Sequence, residues 1–268
     1  MAARDRSAIV ARLRAAGCVW AEDEADLLIS SATAPADLQA LVDRRVDGQP
    51  LEHILGWAGF CGLRVDVAPG VFIPRARTEL LVRTAVTLLG RREAVVLDLC
   101  CGSGAIGAAV AATAAGQIRL YAADVDSASV ACARRNLQPW GARVYQGDLF
   151  APLPVHLRGR VEVLVANVPY VPTAALSLLP REARLHEPRL SLDGGADGLD
   201  VLRRVAVEAL DWLAEHGRLL VETGRVQSRA AVAILDRAGF TSRVVSDDDL
   251  DATVVIGGCG IRASTGRP

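Results

Sequence analysis

From residue 94 to residue 256, short runs of β-branched and aliphatic residues alternate with stretches whose apolar positions recur at helical spacing. Residues 94–98, 119–123, 142–146, 161–166, 218–222 and 253–256 read as strands. Between them, helices are expected after Gly107 to about residue 115, over 127–137, over 201–215 and over 228–238, with an earlier one over 78–89. Strands separated in this way by helices predict an α/β fold, a doubly wound, mostly parallel sheet that binds ligands at the carboxyl ends of its strands. Asp98, Asp124, Asp148, Asn167 and Glu222 all fall at such ends. Upstream, Ile9, Val10, Leu13, Leu27 and Leu28 keep helical spacing, and Pro35 suits a helix start, so residues 1–48 predict a small three-helix domain. Residues 49–74, punctuated by Gly56, Gly59 and Gly62, predict a β-hairpin linker.

Composition narrows the class. The chain has 268 residues, 51% of them hydrophobic, enough for a substantial core. No apolar run approaches the roughly 18 residues of a membrane span, and the charged start (Arg4, Asp5, Arg6) lacks a secretion signal's apolar segment. A cytoplasmic protein without membrane contact is expected. The formal net charge of −1, with acids and arginines interleaved, argues against a wide basic face for duplex nucleic acid. All 30 basic residues are arginine. Without lysine there is no phosphate-loop motif and no Schiff-base chemistry. The six cysteines form no paired C-x-x-C pattern and have no neighbouring histidine, so they are expected as reduced thiols, with no metal site. The scattered His53, His156, His186 and His216 are expected to be structural or solvated.

Two stretches carry the candidate chemistry. The apolar run 163–166 stops at Asn167-Val168-Pro169-Tyr170, where proline cannot continue the sheet and stiffens the turn. A carboxamide beside an aromatic face can hold a flat, amide-like or base-like group. The second stretch is Gly102-x-Gly104-x-x-Gly107, flanked by strand and helix, with the acid Asp124 lying 17 residues beyond Gly107. This spacing suits the ribose of either NAD or S-adenosylmethionine. Asp98 at the mouth of the loop favours S-adenosylmethionine, because a carboxylate there suits an α-ammonium group and repels a pyrophosphate. Asp148 is placed to accept from the adenine amino group, with Leu149 or Phe150 covering the ring.

Several blocks, in order over residues 48–257, resemble the release factor glutamine methyltransferases. They are Pro50-Leu51-Glu52-His53-Ile54-Leu55-Gly56, Phe72-Ile73-Pro74-Arg75 with Glu79-Leu80-Leu81-Val82, and Leu97-Asp98-Leu99-Cys100-Cys101-Gly102-Ser103-Gly104-Ala105-Ile106. Asn167-Val168-Pro169-Tyr170-Val171, Glu187-Pro188, Gly194-Gly195-Ala196-Asp197-Gly198-Leu199-Asp200 and the run 217–224 complete the set. The Asn-Pro-Pro-Tyr type of motif is shared with other amino methyltransferases, whereas the blocks at 72–75, 187–188 and 194–200 are more specific. The resemblance implies a class I, Rossmann-like methyltransferase domain over 75–262, behind a helical substrate-recognition domain, with a flexible tail at 263–268. It implies S-adenosylmethionine as cofactor and, as partner and substrate, a peptide-chain release factor methylated on the glutamine of its Gly-Gly-Gln loop. A monomer is expected.

On this reading the donor is held by Asp98, Cys100, Gly102, Gly104, Ile106 and Asp124, together with Val125, Asp148, Leu149, Phe150 and Asn167. The acceptor is held by Arg75, Glu222 and Asn167-Val168-Pro169-Tyr170, the last four being catalytic. An amide nitrogen is a poor nucleophile, so catalysis is expected to rest on positioning. The chain departs from the family pattern at Val168, where proline is usual, at Cys100, where glycine is usual, at Ala76-Arg77, where Pro-Glu is usual, and at Ala252, where arginine is common. The alternatives are an amino methyltransferase acting on a nucleic-acid base or small molecule, and a non-catalytic relative that binds S-adenosylmethionine.

Overall fold

The structure, a computed structural model, describes residues 3–259; the expected tail at 263–268 and the last residues of the 75–262 segment lie outside them. Helices α1 (Ala3–Ala15), α2 (Ala21–Ser31) and α3 (Pro35–Val46) pack around buried Leu13, Ala25, Leu28 and Val42. Pro35 begins α3, where a missing N–H costs nothing. The 49–74 stretch adds a short helix that the glycine punctuation did not reveal, α4 (Leu51–Leu55), stopped by Gly56 at φ 79°. His53 within it is buried, its Nε2 2.9 Å from the Val71 carbonyl oxygen. The hairpin follows as β1 (Trp57–Phe60) and β2 (Leu63–Asp66), paired antiparallel.

A 3-10 turn (Ala76–Thr78) then leads into α5 (Glu79–Leu89), and strand and helix alternate from there. The elements are β3 (Ala94–Leu99), α6 (Ala105–Thr113), β4 (Ile118–Asp124), α7 (Ser127–Leu137), β5 (Arg143–Gln146) and β6 (Val161–Ala166). After them come α8 (Arg181–His186), α9 (Asp200–Trp212), β7 (Leu213–Glu222), α10 (Ser228–Arg237), β8 (Phe240–Asp247) and β9 (Ala252–Cys259). The sheet order is β5-β4-β3-β6-β7-β9-β8, parallel from β5 through β7 and antiparallel where β9 meets β7 and β8. Every residue of β3 is buried, its alternate side chains feeding two apolar clusters, one on each face.

Two expectations need correction. The helix expected over 201–215 ends at Trp212, because Leu213 already opens β7 and pairs with Val161. Strand β8 was not anticipated. It is the sheet's edge, half exposed, and Ser242, Arg243, Ser246 and Asp247 break up its apolar signal. The order also fixes where a ligand can sit. β3 feeds β4 on one side and β6 feeds β7 on the other, so a crevice opens at the carboxyl ends of β3 and β6.

Candidate active site

That crevice is a cleft of about 500 Å³ lined by the β3–α6 loop, the ends of β4 and β5, the turn after β6, and the segments 72–78 and 179–193. In the glycine loop, Cys100, Gly102 and Gly104 adopt left-handed backbone with φ 57°, 54° and 78°. Glycine tolerates this at no steric cost, whereas for Cys100 it costs about 1–2 kcal/mol. Glycine would therefore suit position 100 better than cysteine on backbone grounds alone. A Cβ on Gly102 would meet nothing within 4 Å, so open space lies in front of the loop; a Cβ on Gly104 would come within 3.0 Å of Leu137, which packs behind it. Burial pushes the half-buried Cys100 thiol up, and nearby Asp124, Asp98 and Asp148 push it the same way, so it stays protonated.

Asp98 is fully buried and lies behind the cleft wall. Its Oδ2 accepts the Gly107 N–H at 2.9 Å, and its Oδ1 is buried without a hydrogen-bond partner. Burial, with the Gly107 bond only partly offsetting it, pushes the Asp98 carboxyl up to about 8. Asp124 lines the cleft, its Oδ2 accepting the Gly102 N–H at 2.8 Å and its Oδ1 the Asp126 N–H at 2.9 Å. Burial raises its carboxyl above the usual range despite those bonds. Asp148 also lines the cleft, held at Oδ2 by Arg204 Nη2 at 2.5 Å. Leu149, at φ 46°, faces the cleft, as do Ile106 and Val125. Phe150 does not reach it: 1% exposed, it stacks on Trp212 in the core with ring centroids 5.6 Å apart. Of the two ring-covering candidates, the structure leaves only Leu149 in place.

The turn after β6 is built from outside itself. Gly194 donates to the Val171 carbonyl at 2.9 Å, and Gln227 Nε2 to the Tyr170 carbonyl at 2.9 Å. A Cβ on Gly194 would fall 2.6 Å from the Pro169 carbonyl oxygen, and one on Gly198 2.2 Å from that of Tyr170. The glycines of the 194–200 block are therefore needed because two backbones run against each other. Within the turn, the Val168 side chain is buried in the core, while no hydrogen bond engages its carbonyl among the described residues. Asn167 Nδ2 donates to Thr78 Oγ1 at 3.5 Å, leaving Oδ1 without a partner among those residues. Asn167, Val168, Pro169, Tyr170 and Arg75 all line the cleft.

Glu222 stands behind that lining, its Oε1 accepting from the Tyr170 hydroxyl at 3.1 Å and its Oε2 buried without a partner. Burial pushes its carboxyl up, while the hydroxyls of Thr78 and Tyr170 and the charges of Arg77 and Arg75 pull it back. Arg75 Nη2 pairs with Glu187 Oε1 at 2.5 Å, and Glu187 also accepts the Ile73 N–H at 3.4 Å. Glu187-Pro188 thus anchors the 72–75 block. Sequence reasoning missed two residues here. Thr78 shows only as a hydroxyl beside a quoted block, and Arg204 gives no local sign at all, since its partner Asp148 lies 56 positions away. His186 ends α8, and the six cysteines, all among the described residues, form no disulfide.

The family pattern described as “Methyltransferase small domain” matches residues 62–181. The chain is 38% identical over 225 residues to the release factor glutamine methyltransferase of Geobacter sulfurreducens, covering 83% of this chain and 78% of that protein. It is 37% identical over 218 residues to the enzyme of the same name from Mycolicibacterium smegmatis, covering 81% of this chain and 76% of that one. It is also 34% identical over 240 residues, 87% of this chain and 81% of the relative, to a protein of Streptomyces pristinaespiralis named 4-amino-L-phenylalanine/4-methylamino-L-phenylalanine methyltransferase. Among solved structures, a methyltransferase from Pyrococcus furiosus superposes with TM-score 0.57 at 18% identity, covering 75% of this chain and 90% of that one.

Proposed function

The chain belongs to the release factor glutamine methyltransferase family, and from that membership we propose that it methylates the side-chain amide nitrogen of the glutamine in the Gly-Gly-Gln loop of a peptide-chain release factor. The methyl donor is S-adenosylmethionine, and NAD is no longer a candidate. The residues present fit that donor. Asp124 faces the cleft with lone pairs to spare for ribose hydroxyls, Gly102 leaves room for close approach, and Leu149 offers an apolar cover. Asp98 does not line the cleft; it lies behind the wall and braces the glycine loop by accepting the Gly107 N–H.

One observation carries the acceptor assignment: Asn167 Oδ1 and the Val168 carbonyl are adjacent acceptors, both lacking partners, on a turn that the 194–200 block braces. A carboxamide NH₂ offers two hydrogens, and two neighbouring acceptors match them. Holding both fixes the nitrogen in place and favours development of its lone pair. Bound S-adenosylmethionine supplies a methyl carbon on a sulfonium that departs as a neutral thioether. The amide nitrogen forms the new N–C bond and sheds one N–H proton to solvent. Tyr170, braced by Glu222, lies where a planar amide can stack.

A protein substrate also has a surface to meet. Arg45 of α3, 8% exposed, bonds Glu24 of α2 at 2.6 Å and Glu182 of α8 at 2.5 Å. This ties the N-terminal helices to a residue that lines the cleft, which supports their role in recognising the release factor. No helix among the described residues is long and apolar enough to cross a membrane; a monomer working in the cytoplasm is part of this proposal. The comparisons do not favour a nucleic-acid base or a non-catalytic role. The test is transfer of labelled methyl to a purified release factor. Label on the Gly-Gly-Gln glutamine is expected, and donor consumption without label there would refute the proposal.

A further inference from the structure

Three arginines line the cleft: Arg75, Arg77 and Arg204. Arg204 is paired with Asp148, and Arg75 with Glu187 while lying over the Phe72 ring at 5.0 Å. The Arg77 side chain is exposed and has neither an ion pair nor a hydrogen bond among the described residues. Several acids in or behind the cleft wall are already engaged. Glu182 is held by Arg45, Asp193 by Arg189 and Thr173, and Glu222 is buried against Tyr170.

Its position places that free charge at the acceptor end. Arg77 immediately precedes Thr78, whose hydroxyl oxygen receives the Asn167 amide. Its charge also reaches the Tyr170 hydroxyl and the Glu222 carboxylate. A guanidinium is a planar fork of N–H donors suited to bidentate pairing with a carboxylate. In a cleft walled by Phe72, Pro74, Pro180 and Pro188 it meets less competition from water than on open surface.

We propose that Arg77 is a specificity residue that receives a carboxylate carried by the methyl acceptor, so that the protein favours an acceptor whose target nitrogen is accompanied by an acid. The carboxylate has two possible sources: an acidic residue flanking the target glutamine in a peptide, or the α-carboxylate of a free amino acid that carries an amine. The inference rests on Asn167 to Tyr170 forming the acceptor end.

The test uses the full chain and two matched pairs of acceptors. One pair is a Gly-Gly-Gln peptide with glutamate near the target and the same peptide with a neutral residue there. The other is an arylamine amino acid and its carboxamide. In at least one pair the carboxylate form should have the higher kcat/KM, by about tenfold, mostly through KM. Arg77→Glu should erase or reverse that preference, Arg77→Lys should keep part of it, and donor affinity by calorimetry should stay within about twofold. The arm that responds identifies the source.

Equal preference ratios in the wild type and Arg77→Glu would overturn the proposal. So would a tenfold loss of donor affinity in Arg77→Glu, which would give the arginine to the donor's own carboxylate. Arg77-dependent transfer to the amino acid alone would uphold this proposal while removing the glutamine reading. Transfer to both peptides with no Arg77-dependent preference in either pair would remove this proposal and leave the glutamine reading intact.

Discussion

The Tyr170 hydroxyl donates to Glu222 Oε1 at 3.1 Å, tying the ring that ends the acceptor turn after β6 to the last residue of the neighbouring strand β7. Glu222 is 2% exposed and its other carboxylate oxygen has no partner, so the Tyr170 bond is one of few that offset its burial. Tyr170→Phe keeps the ring but leaves the carboxylate poorer by one donor. It should cost about 1–3 kcal/mol in denaturant unfolding, the range for losing a hydrogen bond to a buried charged group. Combined with Glu222→Gln, the cycle should show coupling of about 0.5–3 kcal/mol. Additive effects would mean that the two side chains do not support one another.

Asp98 gives stability a pH dependence. Its carboxyl is pushed up to about 8 in the folded chain by burial, against an ordinary 3.8. Between those values the unfolded chain has released the proton while the folded chain still holds it, so this group makes stability fall as pH rises from about 4 to about 8. Asp98→Asn removes the titration and keeps an oxygen for the Gly107 N–H. Its unfolding free energy should decline less than that of the wild type over this window, as read by urea titrations at stepped pH. Parallel profiles would show that Asp98 titrates near its ordinary value.

Asp124 should matter for donor binding more than for folding. Asp124→Ala should weaken S-adenosylmethionine by about 2–4 kcal/mol in calorimetry, the scale of two charge-assisted hydrogen bonds lost. Asp124 also holds the Gly102 N–H at 2.8 Å, so thermal unfolding of the same variant measures any damage to the loop. Unchanged donor affinity would place the ribose elsewhere.

The parallel strands and the polar residues at their ends were legible because buried parallel strands leave continuous apolar runs broken by a polar residue, whereas the order of the strands across the sheet was not. Asp124 and Asn167 stand at such breaks. Strand β8 was not legible, since an exposed edge strand need not alternate, and Arg243 and Ser246 hide it. Phe150 was assigned to the donor because it follows Leu149 directly. The left-handed turn at Leu149, φ 46°, sends the two side chains different ways, and sequence spacing carries no sign of that. Thr78 and Arg204 were missed for a related reason: each is defined by a partner dozens of positions away.

The central claim is that Asn167 acts through its side-chain oxygen and residue 168 through its backbone carbonyl. Asn167→Ala removes the first acceptor, and Val168→Pro keeps the second while restricting Asn167 to the extended backbone of a strand end. The most direct measurement is kcat for methyl transfer to a Gly-Gly-Gln acceptor by these two variants beside the wild type. Asn167→Ala should lose about 10²-fold or more with donor affinity little changed, and Val168→Pro should stay within several-fold of wild type. Val168→Pro abolishing transfer as completely as Asn167→Ala would contradict the claim, for the valine would then be part of a different acceptor pocket.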